Sequence, residues 1–343
     1  MYKKCFALLV ATAVGSVLNI SLSFAAAPFY EGKSIRVIVG YSAGGGYDAY
    51  ARVLARHMGK HVPGNPTFVV ENMTGAGSLV SANYMYKAAK PDGLTIGHFN
   101  GGLFFNQIMN QPGIEFDARK FEYIGAAVKE ETAFAFSKSS GITGVEKWMA
   151  SKTPVKMGGV APGAFAPDNV IKIVKAALGF PVQLVSGYKG TADIRLAVEN
   201  GELAGSSWGW ASMKSTWRKA LDSGEVVVVL QAVPKPFPDL PQVPLAISLA
   251  KTEEARQLIE LGIHSPSIFA RPFVLPPATP KERLGVLEKA LQETLKDKDF
   301  LAEAEKSKLD IEPVTRSELE KSVAGIFKLN AALVAKLNDI LFK

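Results

Sequence analysis

Three times along this chain an apolar, strand-like run ends in a glycine loop that opens into a helical pattern. Ser34-Ile-Arg-Val-Ile-Val39 enters Gly40-Tyr-Ser-Ala-Gly-Gly-Gly-Tyr-Asp48, and Thr67-Phe-Val-Val-Glu71 enters Asn72-Met-Thr-Gly-Ala-Gly77. Val155-Lys-Met157 enters Gly158-Gly-Val-Ala-Pro-Gly163. With Leu94-Thr-Ile-Gly97 as a further strand, strands alternating with helices predict an α/β fold whose largely parallel sheet is covered on both faces. The alternation resumes from Tyr123 to Val128 and Thr132 to Phe136, and continues through helices at Thr143, Pro167–Leu178 and Thr191–Glu199 to the run Glu225–Leu230. This second series reads as a lobe inserted into the first. The expected division is a leader at 1–25, one lobe from 26–124 and 231–343, and a second lobe from 125–230. Pro234 to Pro244 is expected as a surface loop, Lys281–Leu295 as a helix with Pro280 at its first turn, and Arg316–Leu341 as a long C-terminal helix.

The first residues combine Lys3 and Lys4 with an apolar run from Phe6 to about Phe24, followed by small residues that place cleavage after Ala25. The single cysteine, Cys5, lies inside that leader. The mature chain then has no thiol, which excludes a disulfide framework, a zinc–thiolate site and a cysteine nucleophile together. The formal charge of +7 is spread without a basic block, so no nucleic-acid stripe is present.

Glycines before a helix let a ligand approach the backbone and aim N-terminal amides at it, which binds anions without a basic side chain. Any one such loop could simply be a tight turn. Three of them, at the carboxyl ends of strands from two lobes, converge on a cleft. Asp48 is expected to cap the helix that follows it, since a carboxylate beside an anionic ligand would repel it.

The ordered succession of Ala43-Gly-Gly-Gly-Tyr-Asp48, Ala51-Arg52, Val70-Glu-Asn72, Gly75-Ala-Gly77, Lys90-Pro-Asp-Gly-Leu-Thr95, Asn106, Tyr188-Lys-Gly190 and Leu240-Pro-Gln-Val-Pro244 resembles the Bug or TctC receptors of tripartite tricarboxylate transporters. The resemblance runs through nearly all of the chain after the leader. It implies a two-lobed periplasmic binding protein of the Venus-flytrap, type II-like kind, monomeric and exported to the periplasm, without a cofactor or metal. It also implies a small organic carboxylate held between the lobes largely by backbone amides, and delivery to an integral-membrane permease. Carried over by position, the first lobe would contribute Tyr41, Ser42, Ala43, Gly46, Tyr47, Asp48, Ala76 and Gly77, with Asn100 and Gly101 beside them. The second would contribute Gly159, Val160, Gly163, Ala164, Tyr188 and Lys189.

Departures from the family pattern concentrate in the second lobe. Gly158-Gly-Val-Ala-Pro-Gly-Ala-Phe165 lacks two hydroxyl donors, Tyr47 stands where threonine is usual, and Ser207-Trp-Gly-Trp210 adds indoles. Phe165 becomes a ligand candidate, and so does Trp208, although core packing is an equal role for Trp208 and Trp210. The expected ligand therefore has an apolar or aromatic body and at least one carboxylate.

Other readings fit less of the chain. Gly40-Tyr-Ser42-Ala-Gly44 matches a G-x-S-x-G elbow of a serine esterase, but it follows the first strand and leaves only His98 or His264 as a base. The first loop does not read G-x-G-x-x-G, so dinucleotide binding is unsupported. His57 and His61, four apart on a helix, lack a convincing set of partner carboxylates for a metal. A sensor co-receptor that binds solute without transporting it would have the same sequence pattern.

Overall fold

The computed structural model describes residues 27–343, so the expected leader lies outside the described residues. The first part of the chain runs β1 (Ser34–Val39), α1 (Gly46–Met58), β2 (Thr67–Asn72), α2 (Leu79–Lys87), β3 (Thr95–His98), α3 (Leu103–Ile108) and β4 (Glu122–Gly125). The second runs β5 (Thr132–Ser137), α4 (Val145–Met149), β6 (Val155–Gly158), α5 (Val170–Leu178), β7 (Val182–Val185), α6 (Thr191–Glu199), β8 (Gly205–Gly209), α7 (Trp210–Thr216), α8 (Arg218–Asp222) and β9 (Val226–Ala232). The chain closes with α9 (Ala246–Leu249), α10 (Glu253–Ile259), α11 (Ser265–Ser267), β10 (Phe273–Leu275), α12 (Lys281–Thr294), α13 (Lys298–Lys306), α14 (Arg316–Ile326) and α15 (Ala331–Phe342).

Two five-stranded sheets result, ordered β2-β1-β3-β10-β4 and β7-β6-β8-β5-β9. In the first, β1 pairs in parallel with β2 and β3, while β10 returns antiparallel between β3 and β4. In the second, β6 pairs in parallel with β7 and β8, and β5 lies antiparallel to β8 and β9. The α/β expectation with mixed, largely parallel sheets holds. Strand β1 is central, and Val37, Ile38 and Val39 are all buried, as a strand covered on both faces requires. In the second sheet Trp148 of α4 packs on Phe134, Phe136 and Phe180 with ring centroids 4.4–5.4 Å apart.

Three details depart from the sequence reading. The strand expected over 123–128 stops at Gly125, where φ is +134°, and Ala126–Glu131 becomes the link to the second sheet. The expected C-terminal helix is two, because the Asn330 side chain accepts the Leu333 amide at 2.8 Å and restarts the helix as α15. The two indoles of Ser207–Trp210, which alternate about Gly209 as they would on one face of a strand, are divided, since β8 ends at Gly209 and Trp210 opens α7.

The residues after β9 do not return at once to the first sheet. Helix α10 packs along α5, and α15 packs there too, with Lys172 Nζ donating to the Leu341 carbonyl. Gln111 beyond α3 donates to Asn338 of α15 at 2.6 Å, so α15 touches elements of both parts. We propose that the return link is Ile268–Pro272, just before β10, instead of lying near residue 231.

Candidate functional site

Where the carboxyl ends of the two sheets meet, Tyr41, the α1 start at Gly45–Tyr47, and Arg271 face Glu130, Val160, Ala166, Thr191 and Trp208 across a narrow cavity of about 10 Å³. That is room for about one water molecule, far below the ~300–1,000 Å³ usual for small-molecule sites, so a ligand enters only when the two lobes part. Helix α1 begins here because Gly45 is extended (φ −86°, ψ 174°) and turns the chain into it; no side chain caps its first amides. Those amides are in the cavity wall and carry the partial positive charge of a helix start.

The polar groups around this wall are buried. Tyr41 hydroxyl accepts from Asn100 Nδ2 at 2.7 Å, and Asn100 in turn accepts the Gly102 amide at 2.7 Å. Tyr47 donates to the Ala270 carbonyl at 2.8 Å and packs on Tyr41 and His98. Burial pushes both phenols well above the ordinary tyrosine value, so both stay protonated. Arg271 and Glu130, 3% and 2% exposed, form an ion pair between Nε and Oε2. Glu130 Oε1 accepts the Gly209 amide at 2.7 Å, and Arg271 Nη2 donates to Ser212 Oγ at 2.7 Å. Glu130 lies on one link between the sheets and Arg271 on the other, and the Glu130 amide also donates to the Ser267 carbonyl at 2.9 Å. Trp208 stacks on Trp217 (5.1 Å, 22°) while forming cavity wall, so it serves core and cleft together.

Of the residues expected at the site, the cavity brings together Tyr41, Gly46, Tyr47, Val160 and Trp208. Asn100 reaches it through Tyr41. Gly101 donates its amide to the Ala270 carbonyl and thereby holds the Arg271 segment. Ser42 faces the other lobe: its hydroxyl donates to Asp193 at 2.7 Å and its amide to the Lys189 carbonyl at 3.2 Å. Ala43, Ala76 and Lys189 are exposed, and Tyr188 is half-buried. Asp48 does not cap its own helix. Its carboxylate accepts from the Gly44 amide, Arg52 and Asn72, which ties the first glycine loop to α1 and β2 and lowers its pKa against the opposing effect of burial.

The third glycine loop differs most from the expectation. Asp168, fully buried, accepts the Val160 amide at 2.6 Å, the Ala161 amide at 3.3 Å and the Ser186 hydroxyl at 2.6 Å. The chain's own carboxylate therefore holds the Val160 amide, one of the groups expected to face a ligand. Burial raises Asp168 to about 6 despite these bonds. Gly159 leaves room for that carboxylate, since a Cβ there would lie 2.5 Å from Asp168 Oδ1. Phe165 is buried between the lobes, with its Cβ 2.5 Å from where a Cβ on Gly102 would lie. Gly77 meets Ala161 and Ala164 in the same seam, and Gly163 meets Asn106.

Ser42 has Asp193 as its hydrogen-bond partner, not an imidazole. His98 stacks on Phe273 at 4.0 Å with Nδ1 toward the Pro272 carbonyl, and burial lowers it to about 3. A serine–histidine pair is not assembled. Arg271 and Glu130 escaped the sequence reading; the available signal was one arginine inside the apolar run Ile268-Phe-Ala-Arg-Pro-Phe-Val-Leu275.

Residues 50–338 match the model of the tripartite tricarboxylate transporter family receptor, a family of solute-binding receptors and not of enzymes. Among curated proteins, a UPF0065 protein of Bordetella bronchiseptica is 26% identical over 157 residues, 45% of this chain and 46% of its own length. A UPF0065 protein of Cupriavidus necator is 44% identical over 64 residues, 19% of either chain. The chain thus spans less than half the length of these relatives. Among solved structures, the periplasmic binding protein BugD superposes with a TM-score of 0.72 at 20% identity, covering 90% of this chain and 98% of its own. An R. palustris protein with adipate gives 0.71 at 18% identity (90% and 97% covered). MatC from Rhodopseudomonas palustris with bound malate gives 0.69 at 18% (90% and 99%). These likenesses establish the two-lobed fold.

Proposed function

The chain belongs to the tripartite tricarboxylate transporter receptor family, and from that premise we propose that it captures a small organic carboxylate outside the cytoplasm and hands it to the membrane subunits of such a transporter. The observation that carries the reading is the start of α1, uncapped by any side chain and set in the wall of a cavity between the sheets. A carboxylate there would accept from the helix amides in a site walled from water, where such bonds are stronger than at the surface. Adipate and malate, the molecules in two structures of the same fold, are both carboxylates. Tyr47, Val160, Ala166 and Trp208 give the wall a mostly apolar character that suits a ligand body of carbon. Among the described residues no helix is long and apolar enough to cross a membrane.

A thermal-shift screen of aliphatic and aromatic carboxylates against sugars and amines tests this. A ligand at about 100 times its Kd adds roughly 2.7 kcal/mol to stability, a rise of several degrees. At least one carboxylate is expected to give that rise. Stabilisation by a neutral sugar or an amine, with every carboxylate inert, would contradict the proposal.

A further inference from the structure

The ion pair in the cavity wall is more than the carboxylate-receptor reading requires. Glu130 and Arg271 are the charged residues of that wall, and they neutralise each other. Arg271 donates through Nε to Glu130 and through Nη2 to Ser212, while its Nη1 is buried without a partner. A buried guanidinium nitrogen lacking an acceptor is costly, and a ligand oxygen would supply one. The rings of Tyr47 and Tyr50 flank the guanidinium, with centroids 4.6 and 5.5 Å from Cζ. The start of α1 is adjacent, since a Cβ on Gly46 would lie 3.3 Å from Arg271 Nη2.

We infer that the ligand is a monocarboxylate with a small apolar body, its carboxylate shared between Arg271 Nη1 and the first amides of α1. Arg271 is then the specificity-determining residue and Glu130 the positioning residue that fixes it. The inference rests on the carboxylate-receptor reading and narrows it. One carboxylate meets the unused guanidinium nitrogen and the helix start. A second would enter an apolar cavity whose sole cation is already paired, and the exposed Lys189 lies outside that wall. An uncompensated charge in such surroundings is strongly disfavoured.

Calorimetric titration of the protein with pentanoate and benzoate, and with glutarate, isophthalate, norvaline and the two methyl esters, tests this. The monocarboxylates are expected to bind about tenfold or more tightly than the dicarboxylates, norvaline or the esters. Arg271→Lys, checked for folding by circular dichroism, should lose about tenfold for the monocarboxylates. Glu130→Gln leaves the wall one charge more positive, so it should narrow the preference for one carboxylate over two by roughly threefold or more. A purely structural role for Glu130 would weaken both classes alike. Should both variants fail to fold, the wild-type comparison decides alone. Dicarboxylates or norvaline binding as tightly as the monocarboxylates would overturn the inference and leave the receptor reading standing, as would unchanged binding by folded Arg271→Lys. Absence of binding by every carboxylate would overturn both.

Discussion

Asp168 shows how a single side chain redirects a loop. Its carboxylate takes the amides of Val160 and Ala161, so the third glycine loop serves the chain's own anion before any ligand. Burial raises this group from an ordinary 3.8 to about 6, so the folded state binds its proton more tightly than the unfolded state does. The sign follows: the contribution to stability is greatest below pH 4 and is lost as pH rises to about 6. The loss is roughly 3 kcal/mol by pH 7. Urea unfolding of wild type and Asp168→Asn at pH 4 and pH 7 should show the wild type losing about that much relative to the variant. Parallel pH dependence in the two proteins would show that Asp168 is not the titrating group. Asp168 finds its amide partners 7 and 8 positions back in its own loop, but only the folded loop turns them toward it. Arg271 finds Glu130 141 positions away, a pairing that tertiary structure alone supplies, so neither role was legible.

At the level of elements, the strands and glycine loops were legible because period and β-branching report local structure directly. The use of the glycines was not. The first loop does deliver the α1 start to a cavity, but Gly46 also lets α1 approach α7: a Cβ there would lie 2.0 Å from Ser212 Oγ. Gly190 approaches Ser42 in the same way, at 2.6 Å from its Oγ, and Gly163 approaches Asn106 Nδ2, at 2.1 Å. These glycines line the seam between lobes, so close approach is their shared demand. Alanine suits a helix start better than glycine in isolation, by up to about 1 kcal/mol. Gly46→Ala should therefore fold yet resist closure. Its carboxylate affinity should fall about tenfold, and its radius of gyration by small-angle scattering should stay larger than that of wild type when ligand is added. Wild-type affinity and compaction in this variant would show that α1 and α7 do not need their close approach.

Across the whole molecule, two sheets are joined through the links that carry Glu130 and Arg271, with the cavity directly against that pair. The two alternating series of strands and helices were readable in the sequence. Which sheet the later helices cover was not, because residues 246–264 and α15 carry helical patterns that say nothing of it; only packing on α5 does. A larger, open groove of about 860 Å³ runs past Trp210, Lys214 and Arg218 to Leu309 on the outside. Its width makes it the natural rival to the seam cavity. A crystal structure of the protein grown with a carboxylate that stabilises it decides between them. The account predicts carboxylate oxygens within hydrogen-bond distance of the Gly45–Tyr47 amides and against Arg271; a ligand seated in the outer groove beside Lys214 and Arg218 would contradict it.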